Sequence, residues 1–342
     1  KCNVSRTKTS TVKLLNVKGE KLFNPKIKSA TSEGKKRSEL QKNAVLFIML
    51  LPGLVILFFN NYLPMAGIVM AFQKIDFKKF AFFGDWVGLS NLKAFFTSTY
   101  SIATLRNTLL YNLAFIILGL ILALFFAIAL NELRGRNGRK VYQTIMFLPY
   151  FMSWVVISGV VVGFLNHTNG LMNTFILPAL GMEPIKWYSS PEYWPYIIVG
   201  LNLWKNAGYS SVMYLAGINN IDINIYEAAQ IDGASKWQQI WSITLPLLKP
   251  LIVILTLLNI GKIFSTDIGL FYTVPQLGTN GMLTRAVSTI DTYVYTNLIS
   301  GNSVSAINLA SAAAFLQSIV GFVLVMLTNL IVRKIDKDYA LF

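Results

Sequence analysis

Long apolar blocks alternate with short polar segments along most of the chain. An α-helix needs about 20 mainly apolar residues to cross the hydrocarbon layer of a membrane. Six blocks have this length, and we expect each to form one spanning helix: Ala44–Phe72, Asn107–Leu130, Thr144–Leu165, Pro195–Ile218, Pro250–Tyr272 and Ala306–Val332. The pattern therefore predicts an all-α integral membrane protein with six transmembrane helices.

Prolines mark the limits of several of these blocks. Pro195 and Pro250 each open a block, and the first turn of a helix tolerates the missing N–H of proline. The first block contains Pro52, Pro64 and the polar run Asn60-Asn61-Tyr62. We therefore expect its outer end to bend or to leave the membrane early.

The composition agrees with a protein that has lipid as its solvent. Hydrophobic residues make up 54% of the 342 residues and charged residues only 13%, whereas soluble domains carry roughly 25% charged residues. The net charge is +15, and 12 of the 30 basic residues lie in the first 43 positions. This distribution predicts a flexible basic arm over residues 1–43 rather than a surface that binds nucleic acid.

The charges between the blocks predict how the chain crosses the membrane. The segment Asn131–Tyr142 carries four basic residues against one acidic residue, whereas Asn166–Trp194 carries only Lys186 against two glutamates. Basic residues are enriched in cytoplasmic loops. We therefore expect a multi-pass protein of the bacterial cytoplasmic membrane with both termini in the cytoplasm. The segment Gln73–Arg106, expected outside, disagrees because it carries five basic residues.

Two lysines fall near the middle of predicted spans. A charged residue at that depth costs about 2.5–3.5 kcal/mol, so we expect Lys205 and Lys262 to face either the protein interior or a wet pathway. Asp267 is a candidate counter-charge for Lys262 if the fifth helix continues that far. Polar and aromatic residues of the spans either pack between helices or contact a polar cargo, and the candidates for the second role are Tyr150, Ser153, Trp154, Asn202, Trp204, Lys205, Asn206, Asn259, Lys262, Asp267 and Asn308.

The cytoplasmic segment between the fourth and fifth blocks, residues 219–249, predicts two short helices with a break between them. Asp222 can cap the first helix, and Gly233 can adopt the left-handed conformation that ends it. Ser235 can cap the second helix, and Pro246 is expected to stop it before the chain re-enters the membrane.

The same segment resembles the "EAA" signature of permease subunits from binding-protein-dependent ABC importers. Glu-Ala-Ala is followed after three residues by Gly, and after nine more by Ile-x-Leu-Pro, with no departure in spacing. The matching residues are Glu227, Ala228, Ala229, Gly233, Ile243, Leu245 and Pro246. The resemblance implies the type I ABC importer permease fold over residues 44–342, with a coupling helix that docks on a cytoplasmic ATPase.

Other stretches resemble sugar permeases, in particular the polysaccharide-permease branch and, more distantly, the maltose permease. They are Asp85–Asn91, Trp204–Tyr209, Ile290–Tyr295 and Phe315–Gly321. That branch usually has Gly-Phe-Glu after the fifth span, whereas this chain has Ser265–Leu270, with Asp267 as the only carboxylate. The resemblance implies an oligosaccharide cargo.

The resemblance also implies the partners of the chain. They are a second, non-identical permease subunit, two copies of a cytoplasmic ATPase, and an external solute-binding protein or lipoprotein. The chain has no GxxxxGK phosphate-binding motif, so we expect no enzymatic activity and no bound cofactor, with ATP and Mg²⁺ used by the ATPase. His167 is the only histidine and Cys2 the only cysteine, and no metal site is expected.

Two alternatives differ from an oligosaccharide importer. The first is an ABC permease for a non-sugar solute such as a peptide or an osmolyte, because the EAA motif carries no information about the cargo. The second is an ion-coupled secondary transporter, in which Lys205, Lys262 and Asp267 would serve the ion pathway. In that case the spacing from Glu227 to Pro246 would be accidental.

Overall fold

The computed structural model describes residues 43–74, 84–133, 135–299 and 304–335. The predicted basic arm, residues 1–43, lies outside the described residues except for its last position. Contacts between residues divide the chain into two units, residues 1–62 and 63–342.

In the first unit, helix α1 spans Ala44–Leu57 and is followed by a π-helical turn over Phe58–Tyr62. Pro52 lies inside α1, and the side chains of the helix are exposed. The π turn includes the polar run Asn60-Asn61-Tyr62, so the helical geometry changes at the place where the sequence predicted an interruption.

Among the residues of the second unit that the structure describes, the regular secondary structure is helical apart from one short β-hairpin. Its longer helices are α2 Ser90–Thr97, α3 Thr99–Glu132, α4 Arg136–Phe151, α5 Trp154–Leu165, α6 Trp194–Asn219, α7 Ile223–Ile231, α8 Lys236–Gly261, α9 Ile290–Ile299 and α10 Val304–Ile335. Shorter helical segments are Leu63–Met65, Ala66–Phe72, Met172–Ile176, Leu177–Ala179, Trp187–Ser189, Pro191–Tyr193, Gly269–Thr273, Gly281–Leu283 and Thr284–Val287.

The hairpin explains one of the stretches that resemble sugar permeases. Strands β1 (Gln73–Lys74) and β2 (Asp85–Trp86) pair antiparallel. Gly88 then turns the chain with φ +57°, and the Asn91 side chain donates hydrogen bonds to the carbonyls of Ala71 and Gln73 at 3.0 and 2.9 Å. The stretch therefore ties the start of α2 to the end of the helical segment Ala66–Phe72 and to the first residue of β1.

Three hydrophobic clusters hold the second unit together. Tyr111 of α3, Ile157 of α5 and Ile198 of α6 belong to the first. The second lies where α3, α6 and α8 meet, and its buried members are Ala123, Ala127, Leu130, Tyr214, Leu215, Ile218 and Leu248. The third joins α2, α9 and α10, with Phe95, Ile290, Tyr293 and Ala313 buried. Helix α3, which packs along α6, is the scaffold for the membrane part.

Within the described residues, four helices are long and apolar enough to cross a membrane: Ala44–Phe72, Thr99–Glu132, Lys236–Gly261 and Ser305–Lys334. A fifth span is obtained if the bent pair α4 and α5 is one crossing. Helix α6 has 26 residues but is not in this set. The all-α membrane architecture is confirmed, and the number of six spans is not.

The third predicted span, Thr144–Leu165, is not one straight helix. Helices α4 and α5 meet at 96°, with Met152 and Ser153 between them. The Ser153 side chain accepts a hydrogen bond from the Val156 N–H and so starts a new helix. The break therefore places the end of one helix and the start of another inside the predicted crossing.

The boundaries predicted for the fifth span were wrong at both ends. Helix α8 begins at Lys236 and ends at Gly261, so it neither starts at Pro250 nor reaches Tyr272. Pro246 does not stop the helix, because a π-helical turn over Ile240–Thr244 precedes it. The change in hydrogen-bond register at a π turn accommodates the missing N–H of proline.

Candidate functional site

The coupling segment, residues 219–249, contains the predicted first helix, the break and the start of a second helix, but the second helix is not short, because it continues to Gly261. The Asp222 carboxylate accepts from the Asn224 N–H at 3.0 Å and caps α7. Gly233 has φ +81° and ends the turn after α7. Ser235 and Gln238 form a reciprocal capping box at the start of α8. These three predicted local roles are confirmed.

One side-chain contact joins α7 to α8, and a second ties the connection between them to α8. The Tyr226 hydroxyl and the Thr244 hydroxyl are 2.9 Å apart, and the Gln239 amide donates to the Ala234 carbonyl at 3.0 Å. A cavity of about 370 Å³ lies between the two helices, and Ala229, Gly233 and Ile243 are among its lining residues. The coupling segment is therefore a braced unit rather than a loose loop.

The outer surface of the coupling segment is exposed and partly apolar. Glu227 and Ala228 are exposed, and so are Ile231 of α7 and Trp237 of α8, at 87% and 69%. Lys236 pairs instead with Glu132 of α3 at 3.3 Å. Exposed apolar side chains around a charged residue are typical of a surface that binds another protein.

A second candidate site is a cavity of about 380 Å³ between α3, α4, α6 and α8. This volume is within the range of ligand pockets, roughly 300–1,000 Å³. Five predicted pathway residues line the cavity: Tyr150, Asn202, Asn206, Asn259 and Lys262. Their contact with a cargo stays a prediction, because the structure shows only that they surround one space.

The cavity also has polar lining residues that the sequence analysis did not select, namely Asn112, Tyr209, Ser210, Thr256 and Ser265. For some of them, the spacing along the sequence could have indicated a position beside the residues that were selected. Asn202, Asn206 and Ser210 are spaced four residues apart and so share one face of α6, and Thr256 lies one turn before Asn259 on α8. One wall of the cavity carries the stacked rings of Tyr150 and Tyr209, whose centroids are 4.3 Å apart.

Lys205 is not part of the cavity lining, because its side chain turns toward the break between α4 and α5. Its Nζ donates hydrogen bonds to the carbonyls of Pro149 at 3.4 Å, Tyr150 at 2.9 Å and Met152. The residue is only 9% exposed. The ammonium group therefore adds a donor to three carbonyls at the bend, of which the Pro149 carbonyl also accepts from the Met152 N–H, and Lys205 faces the protein interior as expected.

Trp154 links Lys205 to Asp267. The indole Nε1 donates to an Asp267 carboxylate oxygen at 2.5 Å, and Lys205 Nζ lies 5.1 Å from the centre of the Trp154 ring. Gly269 makes this packing possible, because a Cβ there would lie 2.4 Å from the Trp154 ring. Since α8 ends at Gly261, the expected continuation of this helix to Asp267 does not occur.

Three other pathway candidates also lie away from the cavity lining. Trp204 is on an exposed face of α6, Asn308 is buried in α10, and Ser153 caps α5. The described residues contain no group of three or more His, Cys, Asp or Glu side chains placed to hold a metal ion.

The loop that follows α8 is held by residues from two of the stretches that resemble polysaccharide permeases. Asp291 of α9 accepts from the Thr266 hydroxyl at 2.9 Å. Gln317 of α10 donates to the Phe264 carbonyl at 2.8 Å and to Asp291 at 3.0 Å. These contacts fix the residues that directly follow Lys262, the first residue after α8.

The chain is similar in sequence to known transport proteins. The chain is 33% identical over 308 residues to the polygalacturonan/rhamnogalacturonan transport system permease protein YteP of Bacillus subtilis, covering 88% of this chain and 91% of that protein. It is 30% identical to Protein LplB of the same organism, with 87% and 92% covered.

A solved structure is also similar. It is a chain of a bacterial alginate ABC transporter in complex with an alginate pentasaccharide-bound periplasmic protein, with a TM-score of 0.78, 30% identity, and coverage of 87% of this chain and 97% of that chain. Residues 116–340 match the family described as "binding-protein-dependent transport system inner membrane component". This chain is a multi-pass membrane protein that belongs to that family of transport-system permeases.

Proposed function

We propose that this chain forms one half of the translocation pathway of an ATP-driven importer for oligosaccharides. The observation that carries the proposal is the braced coupling segment, which presents Glu227 on an exposed surface while its second helix continues as α8 to the membrane cavity. Relatives named for polygalacturonan and alginate transport support a sugar polymer as the source of the cargo.

The cavity chemistry supports a sugar rather than a peptide or an osmolyte. Asn202, Asn206 and Asn259 offer amide donors and acceptors for hydroxyl groups, and the stacked Tyr150 and Tyr209 offer flat faces for sugar rings. Family membership supports a binding-protein-dependent mechanism over an ion-coupled secondary transporter.

The partners in this proposal are a second permease subunit, two copies of a cytoplasmic ATPase and an external solute-binding protein. The solved transporter similar to this chain was in complex with a periplasmic protein, which supports the last of these. The ATPase binds ATP and Mg²⁺, and this chain binds no cofactor. Closure of the two ATPases moves the coupling segments together as rigid bodies and opens the cavity outward.

The exposed Glu227 gives a direct test of ATPase docking. Glu227→Lys reverses a charge on the exposed surface of α7 without removing a contact that holds the segment together. We expect the variant to insert into the membrane normally, to lose the ATPase on affinity purification of the complex, and to lose ATP-dependent oligosaccharide uptake.

The control for this test is Glu183→Lys, which reverses an exposed charge in the segment predicted on the opposite side of the membrane. It should leave both ATPase association and uptake unchanged. Normal uptake by Glu227→Lys would contradict the docking role. Uptake that collapses with an ionophore but continues without ATP would contradict the ATP-driven mechanism as a whole.

A further inference from the structure

A mainly apolar groove of about 650 Å³ runs between α3 and α6. Aliphatic and aromatic side chains make up most of its lining, among them Leu110, Ala114, Leu118, Tyr196, Val199 and Leu203. Tyr196 is 79% exposed and Leu110 is 54% exposed. The groove is therefore open along the side of the helix pair, and its volume is within the range of ligand pockets.

Arg106 is the first residue of α3 that lines this groove. It is exposed, and in the part of the chain that the structure describes no carboxylate forms an ion pair with it. The apolar block of α3 starts at the next residue, Asn107, so Arg106 is expected at the boundary between the hydrocarbon layer and the lipid headgroups. An exposed arginine at this depth is placed to bind an anion of the headgroup region.

Buried side chains hold the arginine and the groove wall in place. Asn107 is only 5% exposed, and its Oδ1 accepts a hydrogen bond from the Arg106 guanidinium at 3.2 Å. The Asn107 Nδ2 donates to the carbonyls of Arg285 and Ala286 at 3.1 and 3.2 Å. The Tyr111 hydroxyl donates to the same Ala286 carbonyl at 2.9 Å. Since a guanidinium has further N–H donors, Arg106 is oriented and can still bind a ligand.

The groove has about the depth of one membrane leaflet. The groove residues of α3 that follow one another at intervals of four, and so share one face of the helix, are Arg106, Leu110, Ala114 and Leu118. From Arg106 to Leu118 the helix rises about 18 Å, and half of the hydrocarbon layer is about 15 Å thick. A cation followed by an apolar groove of this length matches the headgroup and one acyl chain of a phospholipid.

We propose that this groove binds an anionic phospholipid, with the phosphate on Arg106 and an acyl chain along Leu110 and Leu118. In the predicted orientation the lipid belongs to the outer leaflet. The segment Gln73–Arg106 carries five basic residues on a side where few are expected, and the lipid gives one of them a ligand. The inference goes beyond the importer function, because it depends neither on the cargo nor on the ATPase.

A helix of a partner subunit fits this groove less well than a lipid. Membrane helices that pack closely do so through small residues, which let the two backbones approach. Leu110, Leu118 and Tyr196 are large and exposed here. A flexible acyl chain can lie between such side chains, and its headgroup supplies the negative charge that Arg106 can bind.

The test measures which lipid the groove retains. The full chain, purified in detergent with the subunits that accompany it, would be titrated with phosphatidylglycerol or with phosphatidylcholine that carries the same acyl chains. Native mass spectrometry would count the bound lipids. We expect phosphatidylglycerol to bind at least about fivefold more tightly, which corresponds to about 1 kcal/mol, the contribution of one basic residue near an anionic lipid surface.

Substitutions assign the bound lipid to the groove. Arg106→Gln removes the charge and should leave the complex with one phosphatidylglycerol fewer. Gly200→Leu adds a large side chain at a groove position where a Cβ meets no atom within 4 Å, and it should displace the acyl chain. The control is Lys93→Gln, which removes an exposed cation of the same basic segment outside the groove lining and should bind lipid as the unaltered protein does.

A soluble headgroup separates a lipid site from a site for free phosphate esters. Glycerophosphoglycerol has the headgroup of phosphatidylglycerol without its acyl chains, so it should not displace the bound lipid at equal concentration. Displacement at equal concentration would overturn the lipid site, because the apolar groove would then contribute nothing to binding.

Two further outcomes contradict the proposal. The first is equal affinity of the unaltered complex for the two phospholipids, or an unchanged number of bound phosphatidylglycerol molecules in Arg106→Gln. The second is loss of a partner subunit from Gly200→Leu while Arg106→Gln keeps its lipid, which would place a helix in the groove. Neither outcome affects the test of ATPase docking at Glu227.

Discussion

At the scale of single residues, Lys205 shows how a charged side chain is accommodated in a membrane helix. Its cost is offset by hydrogen bonds to three carbonyls at the break between α4 and α5 and by the ring of Trp154. Its charge was visible in the sequence, and its burial was expected. Its role at the break was not, because the carbonyls belong to residues more than 50 positions away.

Removing the Lys205 ammonium should destabilise the break. Lys205→Met keeps an apolar stem but leaves buried carbonyls without a donor, at a cost of about 1–3 kcal/mol. We expect a lower apparent melting temperature of the purified complex in detergent. Lys249→Met, at an exposed position of α8, should not change it. A melting temperature for Lys205→Met equal to that of the control would show that the three bonds contribute nothing to stability.

At the scale of elements, short sequence patterns predicted the helix caps and turns of the coupling segment. They did not predict helix ends that depend on contacts with residues far away in the sequence. Asp222, Gly233 and Ser235 were identified correctly because caps and left-handed turns depend on adjacent residues. The end of α8 at Gly261 was not predicted, since the following residues remain largely apolar. That end is held by Asp291 and Gln317, which lie on other helices.

The contact between α4 and α6 gives a prediction at this scale. A Cβ on Gly208 would lie 2.0 Å from the Met146 carbonyl oxygen, a backbone atom that cannot move aside as a side chain can. Gly208→Ala should therefore separate the two helices and cost about 1–3 kcal/mol or more. The measurement is the thermal stability of the complex, together with the rate of uptake.

Gly200 is the matched control, because it lies on the same helix and a Cβ there meets no atom within 4 Å. Gly200→Ala should be neutral or slightly stabilising, since alanine is the better helix former. Equal stability of the two variants would contradict the close approach of α4 and α6.

At the scale of the whole molecule, the sequence predicted the class and family correctly, and the six predicted crossings are not confirmed within the described residues. The helix Thr99–Glu132 contains a long, strongly apolar stretch and satisfies a length criterion directly. Helix α6 combines Asn202, Lys205 and Asn206 on the faces that meet the cavity and the break. These polar residues lower the mean hydropathy of α6. Their contacts with the cavity and the break are not visible in the linear pattern.

The predicted orientation can be tested by labelling. In a Cys2→Ser background, which removes the only cysteine, new cysteines would be placed by Ser189→Cys and Asn137→Cys at exposed positions. A membrane-impermeant maleimide should label the first in intact spheroplasts and the second only after permeabilisation. The reverse pattern would place the termini outside the cell and would contradict ATPase docking at Glu227.

The length of α8 has a mechanical consequence. At 1.5 Å per residue, its 26 residues make a rod about 39 Å long, with the coupling segment at one end and the cavity-lining residues Thr256 and Asn259 near the other. Pivoting such a lever by about 10° carries its tip through about 7 Å, on the order of one helical turn. In the proposed importer, a small rotation imposed at the coupling segment would therefore displace the cavity end of α8 by a distance comparable to one helical turn.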